Sequence, residues 1–419
     1  MTVDEQRKVG EEPVSAPSRL PSAGAWAVFL VLPLVVMAYT VWRSPLYWSI
    51  PPDPTNWDAA QFALHGHVDK IYSTTTGLVS FPGLVVLSLP VAAASNLFHL
   101  GSLTTGSGHS LRPTAWYLWG PWVSLVAGSV ILAADSVAGQ LRITRGRRLI
   151  LAIVEAALVW QLIVLWGHPE DALAVAAFLW AWLASEHHQW TGAGWLMGVA
   201  IAVQPVVLLV LPILWVRCPA GRRLGFLIRS AVISVVVLAP ELLTSFHATF
   251  ASLVRQPNYP TLDHATPLLW LAPRLAPVGG VETVAAGPAR LASLALCCLV
   301  AYGVYRWHPA PDRLVWCFAL CFALRSLLES VMDPYYVWSA LAVAVLVAAT
   351  RQGLYFVLAA VTAILVTGYA QTDHSPWVWW GPLIVGTALV LWAGFPRAGS
   401  QPAAGSPIDD RSGATLPAT

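Results

Sequence analysis

The sequence predicts an all-α, polytopic membrane protein with about 11–12 transmembrane or re-entrant helices and further helices lying at the outer leaflet. Three observations predict it. Of 419 residues, 57% are hydrophobic and 11% are charged, and the mean hydropathy is +0.64. A soluble domain carries roughly 25% charged residues, so this chain cannot clothe a water-facing surface. Apolar runs long enough to cross a hydrocarbon core of ~30 Å recur along the whole length. There are 22 Trp, a residue that favours the membrane–water interface and also stacks on sugar rings. The formal charge of +2 gives no case for nucleic acid.

Residues 1–24 are polar, with Arg7, Lys8 and Arg19, and read as a cytoplasmic tail. The run 25–42 follows this positive charge, so it should pass from inside to outside. No small-residue cleavage site follows, and a retained anchor is expected. Residues 44–113 then form a first outer loop. Within it, 81–100 is apolar, but as a span it would put Arg142, Arg145, Arg147 and Arg148 outside, against the positive-inside bias. It is therefore expected to lie in or dip into the outer leaflet. The second span is 114–135. Runs 149–166 and 172–184 lead out and back. The run 194–215 is broken at Gln204-Pro205 and reads as two short helices that dip in and return, since Pro removes a backbone donor and kinks the helix. Residues 224–243 run outward to a second outer segment, 244–287. Runs 291–307, 314–331, 336–350, 353–370 and 377–394 complete the helical domain of residues 25–394. Residues 395–419 are rich in Gly, Ala, Ser and Pro and are expected to be a disordered cytoplasmic tail. There is no internal repeat.

This topology collects Asp53, Asp58, His65, His67, His168, Glu170, Asp171, Glu241, His247, Asp263, His264, Glu329 and Asp333 at the outer face. Grouped acids and histidines suit proton transfer, or activation of a hydroxyl acceptor by a carboxylate. Among them Trp57, His65, His168, Glu170, Asp171 and His264 are the candidates for sugar or acceptor binding. Arg325 lies inside an apolar run, where a cation is expensive and faces a partner or a cavity. It could pair with Glu329 four residues on, or hold a lipid phosphate. Arg274 and Arg290 could serve the same end. The outer acids have the oxygen chemistry for a divalent ion, but no spacing demands one, so no metal and no other cofactor is expected. The five Cys (218, 297, 298, 317 and 321) complete no metal set and read as small packing residues.

The first outer loop also carries a family pattern. Asp53, Trp57, Ala59-Ala60, Leu64, Gly66 and Ile71-Tyr72 resemble the acidic motif of actinobacterial polyprenol-phosphate-dependent mannosyltransferases of the GT-C superfamily (GT87-like). Phe81-Pro82-Gly83 stands where that family often has aromatic-Pro-Pro. The stretch 194–215, with Gly198 and Gln204-Pro205, is similar to its kinked Gly-rich segment, where Lys often precedes the Pro. The resemblance implies a multi-pass plasma-membrane enzyme with its active site on the outer face. It would move a sugar, mannose by that likeness, from polyprenyl phosphate to a glycolipid, polysaccharide or protein acceptor. By register the base would be Asp53, with Asp58 as the competing choice. The partners would be the lipid carrier, the glycan or glycolipid acceptor and the membrane. A transporter or lipid flippase, or a non-catalytic envelope protein of the same fold, are the alternatives.

Overall fold

The computed structural model describes residues 20–43, 54–72, 78, 80–100, 115–261, 263–278, 280–285, 289–372 and 374–396. They fold almost wholly into helices. These are α1 (Ala23–Arg43), α2 (Pro54–Leu64), α3 (Gly83–Leu97), α4 (Trp116–Gln140), α5 (Arg145–Trp160), α6 (Pro169–Glu186) and α7 (Trp190–Val203). They continue with α8 (Leu211–Arg217), α9 (Arg223–Arg255), α10 (Ala289–Trp307), α11 (Pro311–Leu328), α12 (Trp338–Ala348), α13 (Gly353–Tyr369) and α14 (Pro376–Gly394). Four stretches are long and apolar enough to cross a membrane: Tyr117–Gln140, Ala220–Val254, Ala289–Trp307 and Pro376–Gly394. Shorter apolar helices include Ala23–Tyr39, Gly83–Leu97 and Gly353–Tyr369.

Burial separates two kinds of helix. Every residue of α12 is buried, as are most of α6, as expected of helices that are apolar on all sides. By contrast α9 leaves Leu224, Ile228, Val235, Val236, Leu243 and Phe250 exposed, a ridge that only a lipid solvent tolerates. The tryptophans divide in the same way. Trp57, Trp119, Trp182, Trp338 and Trp379 are fully buried, whereas Trp26, Trp42, Trp270, Trp307 and Trp377 are exposed.

One end of the bundle is tied by arginines. Arg148 pairs with Asp135 at 2.5 Å, and the same carboxylate accepts the Ser22 amide at 2.6 Å. The start of α1, the end of α4 and the start of α5 therefore meet, so α3 adds no crossing between them. With 15 residues, α3 is ~22 Å long, too short for a hydrocarbon core. It lies on α2, and Asn96 donates to Gln61 across them at 2.9 Å. Arg147 donates to the Arg351 carbonyl at the same end, and Arg217 pairs with Glu186 at 2.9 Å.

That last pair closes the excursion of α7 and α8. The chain leaves this end after Glu186, reaches Gln204 and returns by Arg217, as the Pro205 break predicts. Gln204 is extended (φ −151, ψ 116), because the residue before a proline is pushed out of the helical region. Gly194 and Gly198 let α7 approach α9 closely. A Cβ at Gly198 would come within 2.7 Å of the Arg229 carbonyl oxygen, the close backbone packing that small residues permit. Cys297 and Cys321 are buried and form no disulfide; the thiol of Cys297 lies 3.6 Å from the Cys321 carbonyl.

Two helix ends and a strand pair differ from expectation. The helix expected to stop at 243 runs on to Arg255, kinked at Ser245 (φ −145, ψ 50), so the second outer segment begins as helix. Helix α11 ends at Leu328, which leaves Glu329 as its cap in extended conformation. A short antiparallel pair, β1 (His264–Ala265) with β2 (Val331–Met332), joins that segment to the link after α11. Two-residue strands carry no periodic signal in the sequence.

Gly83 opens α3 against the end of α7, and a Cβ there would strike the Ala202 carbonyl. This explains glycine where the family pattern has a second proline. Gly83→Ala should lower stability by about 1–3 kcal/mol through overpacking, read as a lower melting temperature of the detergent-purified chain.

Candidate functional site

At the other end of the bundle is a cavity of about 290 Å³. Separate parts of the chain line it. The start of α2 supplies Thr55 and Asn56, and the link to α3 supplies Leu78 and Ser80. The corner before α6 supplies Trp166, His168 and Glu170, and the α7 break supplies Gln204. The second outer segment supplies Gln256, Asn258 and Asp263, and the start of α10 supplies Arg290. The end of α11 and the turn after it supply Arg325, Asp333, Tyr335 and Tyr336.

The His168 corner has a local cause. After α5 the chain widens into a π-helical turn, Gln161–Trp166, and Gly167 then takes a left-handed conformation (φ 65). Such wide turns recur at functional sites. His168 caps α6 and Pro169 is its first residue, where the missing N–H costs nothing. His168 Nδ1 lies 2.8 Å from Glu170 Oε1, and its ring stacks on Tyr335 at 4.1 Å. Asp171 is 1% exposed, and its carboxylate accepts a hydrogen bond from Gln204. The α7 break thus brings an amide to the head of α6. His168, Glu170 and Asp171 each present a ligand atom, all within 4.8 Å of one another. Among the described residues this is the set that could hold a metal ion.

The same cavity holds an arginine pair. Glu329, 1% exposed, accepts from Arg290 Nε at 2.9 and 3.1 Å and from Arg325 Nε at 3.2 Å. Arg325 also lies 4.0 Å over the Tyr336 ring, a cation–π contact. One carboxylate thus orders two guanidiniums, with an excess of one positive charge. Each bond uses Nε, which leaves the terminal nitrogens out of it. The end of α11 supplies Arg325 and Glu329 because the helix stops between them.

The third group is a carboxyl pair. Asp263 and Asp333 are hydrogen-bonded to each other. Tyr335 donates to Asp333 Oδ2 at 3.1 Å, and the Tyr259 amide donates to Asp263 Oδ2 at 3.2 Å. Burial first, then the neighbouring Asp333 charge, push Asp263 up to about 7. Two adjacent carboxyls share a proton because both cannot ionise cheaply.

The structure brings together His168, Glu170, Asp171, Asp263, Arg290, Arg325, Glu329 and Asp333 of the residues singled out in the sequence. Among the described residues, the others singled out do not line the cavity. Asp53 lies outside the described residues. Asp58 is half-buried on α2 and does not line the cavity. Trp57 is fully buried and packs edge-on against Trp119 at 5.4 Å, so it serves the core. His65 is exposed, with Nδ1 at 2.7 Å from the Gln61 carbonyl. His264 stacks on Trp379 at 4.1 Å, fixing β1 to α14. Arg274 is exposed and in an isolated bridge with Val284. Sequence reasoning missed Gln204 as a site residue, together with Asn56, Asn258, Tyr335 and Tyr336. Asp333-Pro334-Tyr335-Tyr336 had one usable signal, a proline that marks the first position of a short helix. Set against known proteins, the chain matches no family model and no curated protein sequence.

Proposed function

We propose that the chain is a membrane glycosyltransferase of GT-C type, with about 11–12 transmembrane or re-entrant helices, acting at the outer face of the plasma membrane. It takes a sugar, mannose by the family likeness, from a polyprenyl phosphate carrier. It passes that sugar to a glycolipid, polysaccharide or protein hydroxyl. The observation that carries the reading is that an arginine pair and a carboxyl pair line one cavity. Guanidiniums suit phosphate oxygens, and carboxylates suit removal of a hydroxyl proton. In the reaction the acceptor oxygen forms a bond to the anomeric carbon. The bond from that carbon to the carrier phosphate breaks, and the phosphate leaves with the electron pair. The acceptor proton passes to a carboxylate. Within the described cavity that carboxylate is the Asp263–Asp333 pair; the family likeness favours Asp53 of the first loop. Trp166, Tyr335 and Tyr336 supply aromatic faces of the kind that stack on sugar rings.

A transporter or flippase needs a polar path onward through the bundle. Below Arg325, Phe178 packs edge-on against Phe318 at 4.8 Å and Phe322 at 5.9 Å, which favours a cavity closed at its base. The test is reconstitution of the full chain in nanodiscs with radiolabelled polyprenyl-phosphate mannose and extracted envelope acceptors. Label in a covalent product is expected. Flux of label across vesicles without any product would instead support the transporter. Asp58→Asn should leave transfer within about twofold of the parent, because a group outside the site makes no contact in the transition state.

A further inference from the structure

The charges around the cavity do not balance. Glu170, Asp171, Asp263, Glu329 and Asp333 set five carboxyls against the guanidiniums of Arg290 and Arg325. One proton shared by Asp263 and Asp333 leaves an excess of negative charge in a buried place. Glu329 is engaged by both arginines, so Arg325, which also acts on Asp171, answers the carboxyls at the head of α6 only in part. There Glu170 is 3% exposed and Asp171 is 1% exposed. Glu170 Oε2 and Asp171 Oδ2 nevertheless have no hydrogen-bond partner among the described residues. A buried carboxylate oxygen without a donor is costly. His168 brings a ring nitrogen to the same place, and its ring is held against Tyr335.

We propose that His168, Glu170 and Asp171 bind a divalent cation of the Mn²⁺ or Zn²⁺ class. One imidazole and two carboxylates make a mixed nitrogen–oxygen donor set suited to those ions. Three protein ligands leave further coordination positions, and His168 and Glu170 line the cavity. Gln204 supports the set from behind through Asp171, as partners of ligating carboxylates do. This inference rests on the glycosyl-transfer reading in one respect. The ion would answer the negative charge that an incoming phosphate donor meets, and would share its oxygens with Arg325.

The test uses the full chain in nanodiscs, stripped with EDTA and loaded with Mn²⁺ alone. Electron paramagnetic resonance should find one retained ion per chain, with electron spin-echo modulation from a coordinated imidazole ¹⁴N. His168→Gln should lose the ¹⁴N signal while retaining weaker Mn²⁺ binding. Glu170→Gln and Asp171→Asn should each weaken binding by about 10-fold or more. Mn²⁺ retained without ¹⁴N coupling, or bound equally by all three variants, would overturn the site. Transfer that persists undiminished in EDTA with no bound ion would defeat the metal inference and leave the transferase reading intact. A bound ion with the expected ¹⁴N coupling and no transfer of any sugar would do the reverse.

Discussion

Arg325→Gln should reduce sugar transfer by about 10²–10³-fold, the usual effect of removing one preorganised donor aimed at developing charge. The bond to the carrier phosphate breaks in the transition state, so negative charge on that phosphate grows. The guanidinium is 17% exposed at its side chain and stacked on Tyr336 at 4.0 Å. It is already oriented, and little reorganisation is needed when the charge appears. The loss should fall on kcat more than on the KM for the donor, since the interaction strengthens only as the bond breaks. Arg325→Lys keeps the charge but loses the planar fork and much of the stacking; it should recover part of the rate, leaving a deficit of about 10-fold. The fold should survive both changes. Glu329 keeps two bonds from Arg290 at 2.9 and 3.1 Å, so no buried carboxylate is stranded. Steady-state kinetics on the reconstituted chain decide the matter. Equal rates for parent and Arg325→Gln would remove the arginine pair from the mechanism.

The helices were legible because their signal is local. Apolar runs, Pro205 and the Arg142–Arg148 cluster marked most of the elements and set α3 apart as adding no crossing. Arg325 was legible as a site residue for the same reason, being a charge with no cheap place in an apolar helix. His168, Glu170 and Asp171 were legible as polar residues grouped at the outer end of an apolar run, although the helix that holds them starts at Pro169 rather than at 172. The rest depends on contacts between distant segments. Nothing near residue 263 in the chain announces residue 333, and the strand pair that joins them is two residues long. Gln204 read as a departure from a family pattern, whereas it reaches Asp171 from the end of α7. Trp57 and His264 misled because aromatic and imidazole side chains serve packing as readily as binding. Trp57 fills a core position against Trp119, and His264 lies flat on Trp379. Only the third dimension separates those roles.

Asp333→Asn should cut the plateau rate by at least ~10²-fold, the lower range for loss of a positioned proton acceptor, and should move the pH profile. In the parent, Asp263 is held up to about 7 by burial and by the Asp333 charge. The pair accepts a proton only after losing the one it shares, so transfer should rise with pH through about 7. The Asn carboxamide still accepts from Tyr335 but carries no charge. Asp263 then loses its like-charged neighbour and falls toward the ordinary carboxylate range. The acid limb of the residual activity should therefore shift to lower pH, although the plateau is lower. Stability should move with the same sign. A carboxyl raised on folding keeps its proton in the native state after the unfolded chain has released one. Stability therefore declines as pH rises from about 4, the ordinary carboxylate value, to about 7, and levels off above that. Asp333→Asn should flatten this decline, seen as a smaller difference in melting temperature between pH 5 and pH 8. A merely structural Asp333 would change melting without moving the acid limb. An acid limb unchanged in both Asp333→Asn and Asp263→Asn would send the search for the base back to Asp53 and the first loop.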